Sequence, residues 1–415
     1  MNARTVISAF VLSTLSAGCA SSNSGPNVAP PTVDSVRPNA SLRVLHSFAG
    51  GSDGAYSQAP LVLVNGDFYG TTGGGGGNGC VSGCGTVFKV TADGQESIVY
   101  AFKGGQDGES PSGPLTYISG KLYGTTSFGG GTPCIYAPRV HGCGTIFEIN
   151  LSGTERVLYR FPGRKLGAFP TDGLLYVNGA FYGEANGGVN GASCTGNNLD
   201  SCGLIYKMSA RGHVSVVHAF DGTDGAFPKG GLLHFGGNFY GVTTGRAKGG
   251  GTLFRISPSG VATTLHNFVG SRPTGLVPLY GFLYASASGG GSNCMGMITA
   301  PCGSIVRFDL SGDEKVVYGF KGHSDGGFPN KIIAVGGNLY GTTYLGGQGC
   351  VGSDSSGCGT VFEVKPDGRE TILYRFNGTD GAQPLSALIG VRGTLYGTTF
   401  GGGSHDSGTV FQITP

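Results

Sequence analysis

Three carboxylates that break the pattern around them, Asp172, Glu184 and Asp200, are the residues in this chain best suited to acid–base chemistry. Cleaving a glycosidic bond by hydrolysis or elimination needs two such groups within a few ångströms of the same bond. Asn178-Gly179 reads as a two-residue hairpin turn, which sets Val177 opposite Ala180 and, counting back, Gly173 opposite Glu184. Side chains alternate along a strand, so Asp172 is expected on the face opposite Glu184. On that reading the pair does not share a substrate, and catalysis is the lesser expectation. No Gly-x-Ser-x-Gly elbow or phosphate loop stands in a strand–helix setting, and the sequence calls for no cofactor.

A second set of departures is cationic. Arg139, His141, Arg164, Lys165, Lys229, Arg246, Lys248 and Arg272 all fall in loops or at loop edges in the middle of the chain. Together they predict a basic arc able to hold an anionic ligand such as an acidic polysaccharide, with arginine forking onto carboxylates. The bland alternative is ordinary solvated charge, since only 12% of residues are charged and the net charge is +2. That balance lacks the basic footprint of a nucleic-acid binder.

These residues are departures from a repeat. A stretch typified by Asn338-Leu339-Tyr340-Gly341-Thr342-Thr343, a Gly-rich loop, and Gly359-Thr360-Val361-Phe362 recurs about every 54 residues. Its tyrosine falls at Tyr69, Tyr123, Tyr182, Tyr240, Tyr284, Tyr340 and Tyr396. A third marker ends in phenylalanine at Phe48, Phe102, Phe161, Phe220, Phe268, Phe320 and Phe376. Each unit reads as four strands; in the sixth they are 332–335, 338–343, 360–365 and 370–376. Asn-Gly, Gly-Gly, Asp-Gly and Ser-Gly dipeptides make the turns. Near-continuous apolar runs imply sheets covered on both faces, as in a β-propeller.

The first marker met, residues 42–48, is a fourth strand without a preceding three, and the last unit has three strands without a fourth. Pairing 42–48 with 408–413 completes a seventh blade from both chain ends and removes exposed edges. The fold predicted is all-β, a closed seven-bladed β-propeller over 41–415.

The blade connections carry Asp-Gly at Asp53, Asp107, Asp224, Asp325 and Asp380. Without alternating carboxylates around them, they read as Asx-type turns rather than calcium loops. His46, His218 and His266 occupy places held elsewhere by Tyr100, Tyr159, Tyr318 and Tyr374, so they read as packed aromatics with a polar tip rather than as metal ligands. In an up-and-down blade, the loops between second and third strands share one face with the blade connections. That long-loop face is the expected binding surface.

Ten cysteines come in local pairs between second and third strands: Cys80/Cys84, Cys134/Cys143, Cys194/Cys202, Cys294/Cys302 and Cys350/Cys358. The fourth and seventh units lack both members, which favours five loop disulfides over zinc, for which no second pair stands at ligand spacing. Residues 1–18 read as a signal peptide: Arg4 precedes the apolar run 6–15, and Leu15-Ser16-Ala17-Gly18-Cys19 follows. That stretch resembles the lipobox of bacterial lipoproteins, with Cys19 acylated, although Ser16 takes the place favoured for leucine; cleavage as an ordinary signal peptide is the alternative. Residues 19–40 then form a lipid-anchored flexible tether, and Ala20 resembles an outer-membrane sorting pattern.

The motif set resembles the GloVer tandem repeat of exported bacterial proteins and covers nearly all of 41–415. Tyr182-Gly183-Glu184-Ala185 and Tyr284-Ala285-Ser286-Ala287 depart from it. The resemblance implies an extracytoplasmic repeat protein and brings no catalytic residues. The resulting expectation is a monomeric binding or scaffold module of the cell envelope, taking a carbohydrate or an envelope protein. A polysaccharide-active hydrolase or lyase and a purely structural surface spacer are the alternatives.

Overall fold

The computed structural model describes residues 40–77, 79–131, 134, 142–163, 166–187, 194, 201–245, 249–290, 302–347, 349, 350 and 357–415. These residues form seven antiparallel sheets around a ring, a seven-bladed β-propeller. In the first blade the order is Val62–Val64, Asp67–Thr72, Thr86–Val90 and Glu96–Ala101, each hydrogen-bonded to the next. In blades two, three and six the inner strand comes in two short pieces, such as Ala168–Pro170 and Leu175–Val177. Among the described residues there is no α-helix, only a 3-10 turn at His323–Asp325.

The ring closes as the order of markers predicts. Ser41–Ser47 pairs antiparallel with Thr409–Thr414, Leu42 opposite Ile413 and Val44 opposite Phe411. The amide of Phe48 continues the ladder onto the Gly408 carbonyl at 2.9 Å. Leu45 and Phe48 are buried, and the Phe48 ring meets Phe88 of the first blade edge-on at 5.0 Å.

The repeated motifs now acquire physical reasons. In Leu-Tyr-Gly-Thr-Thr the glycine lies beneath the phenylalanine ring of Gly-Thr-Val-Phe. A Cβ on Gly70, Gly124, Gly241, Gly341 or Gly397 would stand 2.4–2.7 Å from that ring's Cζ. In the fifth blade the pair is Ala285 opposite Val306, a larger residue matched to a smaller one. The second threonine meets the threonine of the next strand across the sheet, as in Thr72–Thr86 and Thr343–Thr360, both 2.8 Å apart. The glycine of Asp-Gly packs on this buried threonine pair, where a Cβ would come within 2.5–2.8 Å of the nearest side-chain atom.

The aspartate of Asp-Gly ties the outer strand to the following connection. Every outer strand carries a register shift just before its His or Tyr, the signature of a bulge that re-aims a side chain. Where the connection keeps Asp-Gly, the re-aimed group reaches that aspartate: Tyr100 donates to Asp107 at 3.0 Å, Tyr318 to Asp325 at 2.8 Å, and His218 lies 2.6 Å from Asp224. The same carboxylates accept backbone amides, Lys103 N onto Asp107 and Lys321 N onto Asp325 among them. Histidine and tyrosine interchange because both present a polar atom to that carboxylate.

Four disulfides join described cysteines: Cys80–Cys84, Cys134–Cys143, Cys194–Cys202 and Cys350–Cys358. The sequence predicts five, and the described residues show four complete. In the fifth predicted pair, Cys294/Cys302, Cys294 lies outside the described residues, while Cys302 is fully buried and disulfide-bonded. The cysteine loops and the blade connections share one face, joined by backbone bonds such as Gly130 N to Gly105 O (2.7 Å) and Gly347 N to His323 O (2.7 Å). Because each bridge closes a short loop, the double variant Cys350→Ser/Cys358→Ser is expected to lose about 2 kcal/mol in urea unfolding. An unchanged midpoint would mean that the glycine backbone bonds hold the loop without the bridge.

Candidate functional site

Where the axis opens on the long-loop face, a cavity of about 360 Å³ is lined by residues from all seven blades. Its walls come mainly from the first part of each inner strand or the segment leading into it: Gln58, Ser112, Asp172, Lys229, Thr274, Lys331 and Leu385. Ring closure brings these segments together, since each blade points the start of its inner strand at the axis. Polar residues outnumber apolar ones in the lining, with Pro60, Pro114, Leu385 and Ala387 as apolar patches.

The structure corrects the expected separation of Asp172 and Glu184. Leu175 pairs with Tyr182 and Val177 with Ala180, as the turn predicts, but Pro170 pairs with Ala185. The inner strand therefore slips between Pro170 and Leu175, and strict alternation no longer holds at Asp172. Both carboxyls turn to the fourth blade and bind consecutive amides. Gly230 N donates to Asp172 Oδ2 at 2.8 Å and Gly231 N to Glu184 Oε2 at 3.1 Å. From across the ring, Lys331 Nζ of the sixth blade donates to the Gly230 carbonyl.

Glu184 occupies the place of Thr125, Ser286, Thr342 and Thr398. Those hydroxyls donate to a carbonyl of the following blade, for example Thr125 to Asp172 O at 2.8 Å and Ser286 to Asn330 O at 2.6 Å. A carboxyl in that position accepts instead, so the third-to-fourth blade contact is inverted.

Glu184 is fully buried, and its Oε1 has no hydrogen-bond partner. The Tyr206 hydroxyl is likewise buried and unpartnered, as is Asn186 Oδ1. Burial first, then the charge of Asp172, pushes the Glu184 carboxyl up to about 8. Burial, with Glu184 and Asp172 adding to it, also raises the Tyr206 phenol.

A raised folded-state value means that the folded protein holds a proton the unfolded chain has released. Glu184 therefore supports stability fully below its ordinary 4.5, and that support is lost as pH rises through about 8. Glu184→Gln, which keeps the neutral shape, is expected to flatten the decline in melting temperature between those values. An unchanged pH profile would show that Glu184 is ionised in the fold.

Of the predicted basic arc, Lys229 and Arg272 are described. Both are exposed and line a neighbouring depression of about 440 Å³ with Thr244, Ser288 and Phe328. Lys229 and Thr274 border both hollows. Arg139, His141, Arg164, Lys165, Arg246, Lys248, Asp200 and Cys19 lie outside the described residues.

Lys331 and Asn330 are axial residues that the sequence reading passed over. The signal was available. The place just before the apolar residue that recurs at each inner strand is Pro60, Pro114, Gly173, Gly231, Gly275, Lys331 or Ala387, and only one of these is charged. Aligning units by that residue, Leu61, Leu115, Leu174, Leu232, Leu276, Ile332 and Leu388, exposes it.

Fold and site together define a seven-bladed β-propeller with a polar pocket on its axis. By sequence the chain belongs to the Gloeobacter/Verrucomicrobia repeat family, whose pattern matches residues 19–197, 82–299 and 298–415. No curated protein sequence matches it.

Among solved structures, the chain is similar to puromycin hydrolase, with 12% identity, a TM-score of 0.52, and coverage of 84% of this chain and 50% of that one. It thus spans about half the length of that enzyme. It is also similar to a gluconolactonase from Xanthomonas campestris, with 12% identity, a TM-score of 0.43, and coverage of 91% and 90%. At these identities the likeness is one of fold.

Proposed function

We propose that this protein is an extracytoplasmic binding module that takes a hydroxyl-rich ligand, a carbohydrate, in the axial cavity. The observation that carries the reading is the convergence there of acceptors and ammoniums from different blades, Asp172, Asn330, Gln58, Lys229 and Lys331, around one hollow. Its volume falls toward the lower end of small-molecule sites, about 300–1,000 Å³. Carboxylate and amide acceptors suit sugar hydroxyls, and Lys229 and Lys331 add room for an acidic substituent. The disulfides fit an oxidising compartment. Export by the N-terminal signal, acylation at Cys19 and an outer-membrane address are part of this proposal. An envelope protein is the alternative partner, and a structural spacer the reading in which the cavity takes nothing.

A hydrolase or lyase is the second reading, favoured by one observation: Glu184, its carboxyl pushed up to about 8 chiefly by burial, stands beside the Asp172 carboxyl. Against it, Glu184 has no exposed surface with which to meet a substrate.

The test is a glycan panel scored for both retention and cleavage. Asp172→Asn and Lys331→Met are each expected to weaken binding of a retained glycan about tenfold or more, one lost charge-assisted bond each. Undiminished binding by both variants would move the site off the axis. Products that vanish in Glu184→Gln would establish the enzyme.

A further inference from the structure

Among the described residues, one interface between blades gathers three side chains that elsewhere in the ring occur singly or in pairs. His46 lies on the outer strand of blade seven, Asp53 in the connection that follows, and Glu96 on the outer strand of blade one. His46 Nε2 is 3.1 Å from Asp53 Oδ1 and 3.2 Å from Oδ2. One ligand atom from each of the three residues falls within 4.8 Å of the other two. Glu96 Oε1 is buried and has no hydrogen-bond partner.

We propose that His46, Asp53 and Glu96 form a binding site for a divalent transition-metal ion of the zinc type at the seam where the ring closes. Zinc bonds of about 2.0–2.2 Å to nitrogen and oxygen place two tetrahedral ligand atoms roughly 3.4 Å apart, close to the separation already present between His46 and Asp53. One imidazole with two carboxylates is a borderline donor set that suits zinc. The side chains of His46 and Asp53 remain 20% and 19% exposed, so water can reach a fourth position. The bulge before His46 aims the ring at this point, where an ion would join the outer strands of the last and first blades.

The other interfaces show why the set is unusual. At the next seam the corresponding residues are Tyr100, Asp107 and Glu155, where a neutral phenol replaces the imidazole. His218 and Asp224 meet at 2.6 Å, but the place of Glu96 is taken there by Ala262. His266 lies 2.9 Å from Glu314, and its connection carries Arg272 with no Asp-Gly.

The experiment is zinc titration of the full-length, chelator-stripped protein by calorimetry, with bound metal counted by elemental analysis. One zinc per chain is expected, together with a rise in melting temperature on adding zinc. His46→Tyr installs the residue that the repeat uses at 100, 318 and 374, so the fold is retained while affinity falls at least tenfold. Glu96→Gln is expected to fall likewise, and His218→Tyr to bind as the parent does. The assignment is overturned if the parent takes up no zinc, if His46→Tyr binds it undiminished, or if His218→Tyr loses the site equally.

Discussion

Deleting residues 40–48 is expected to leave the chain without a cooperative thermal transition, either largely unfolded or associated through the bared edge. The segment supplies the outer strand of the seventh blade, paired from Ser41–Thr414 to Ser47–Thr409. It also supplies Leu45 and Phe48 to a cluster with Leu61, Phe68, Phe88 and Val410. Truncating a buried phenylalanine such as Phe48 costs about 3–5 kcal/mol alone. The strand's backbone ladder is lost in addition, and total stabilities are typically about 5–15 kcal/mol. The exposed edge of Thr409–Thr414 then offers unpaired amides to another chain. Circular dichroism melts and size-exclusion chromatography read both effects. A truncated monomer that melts cooperatively near the parent temperature would show that six blades and a three-stranded remnant suffice. The single variant Phe48→Ala separates the packing term, with an expected loss of about 3–5 kcal/mol.

Gly341→Ala is expected to cost about 1–3 kcal/mol, the penalty for forcing extra volume into a filled core. The added methyl would stand 2.6 Å from Phe362 Cζ and 2.9 Å from Ile332 Cγ2. Both neighbours are buried and belong to one cluster, so neither ring nor branch has space to retreat. The fifth blade supplies the rescue, because Ala285 already faces Val306 there. Adding Phe362→Val to Gly341→Ala is therefore expected to recover part of what the two single changes cost when summed. Urea unfolding of the two singles and the double gives the coupling directly, and neighbours in contact typically couple by about 0.5–3 kcal/mol. Additive losses would show that the glycine is retained for backbone reasons and not for the ring above it.

The reach of the primary structure differs from element to element. The sixth unit's strands lie within two residues of their expected bounds, Ile333–Val335, Asn338–Leu345, Thr360–Val364 and Glu370–Arg375. Turn dipeptides and alternation are local signals, and seven copies reinforce one another. Pairing of the cysteines within loops was legible for the same reason, since both partners lie a few residues apart. Asp172 and Glu184 were singled out as departures from the repeat, yet counting back from Asn178-Gly179 put them on opposite faces. The count failed at the slip between Pro170 and Leu175, where the inner strand turns toward the axis. The same two-residue slip recurs between Pro111 and Thr116 and between Lys229 and Leu233, and alternation counted back from the turn does not register it.

The chain by itself thus determined the number of blades, the strand content of each and the joining of its two ends, because these depend on patterns that repeat over a few residues. Tertiary structure alone decided which groups meet at the axis. Asp172 reaches Gly230, Glu184 reaches Gly231, and Lys331 arrives from two blades further on. Those contacts join residues 47 to 101 positions apart. They follow from closing seven sheets into a ring, whose geometry no single repeat contains.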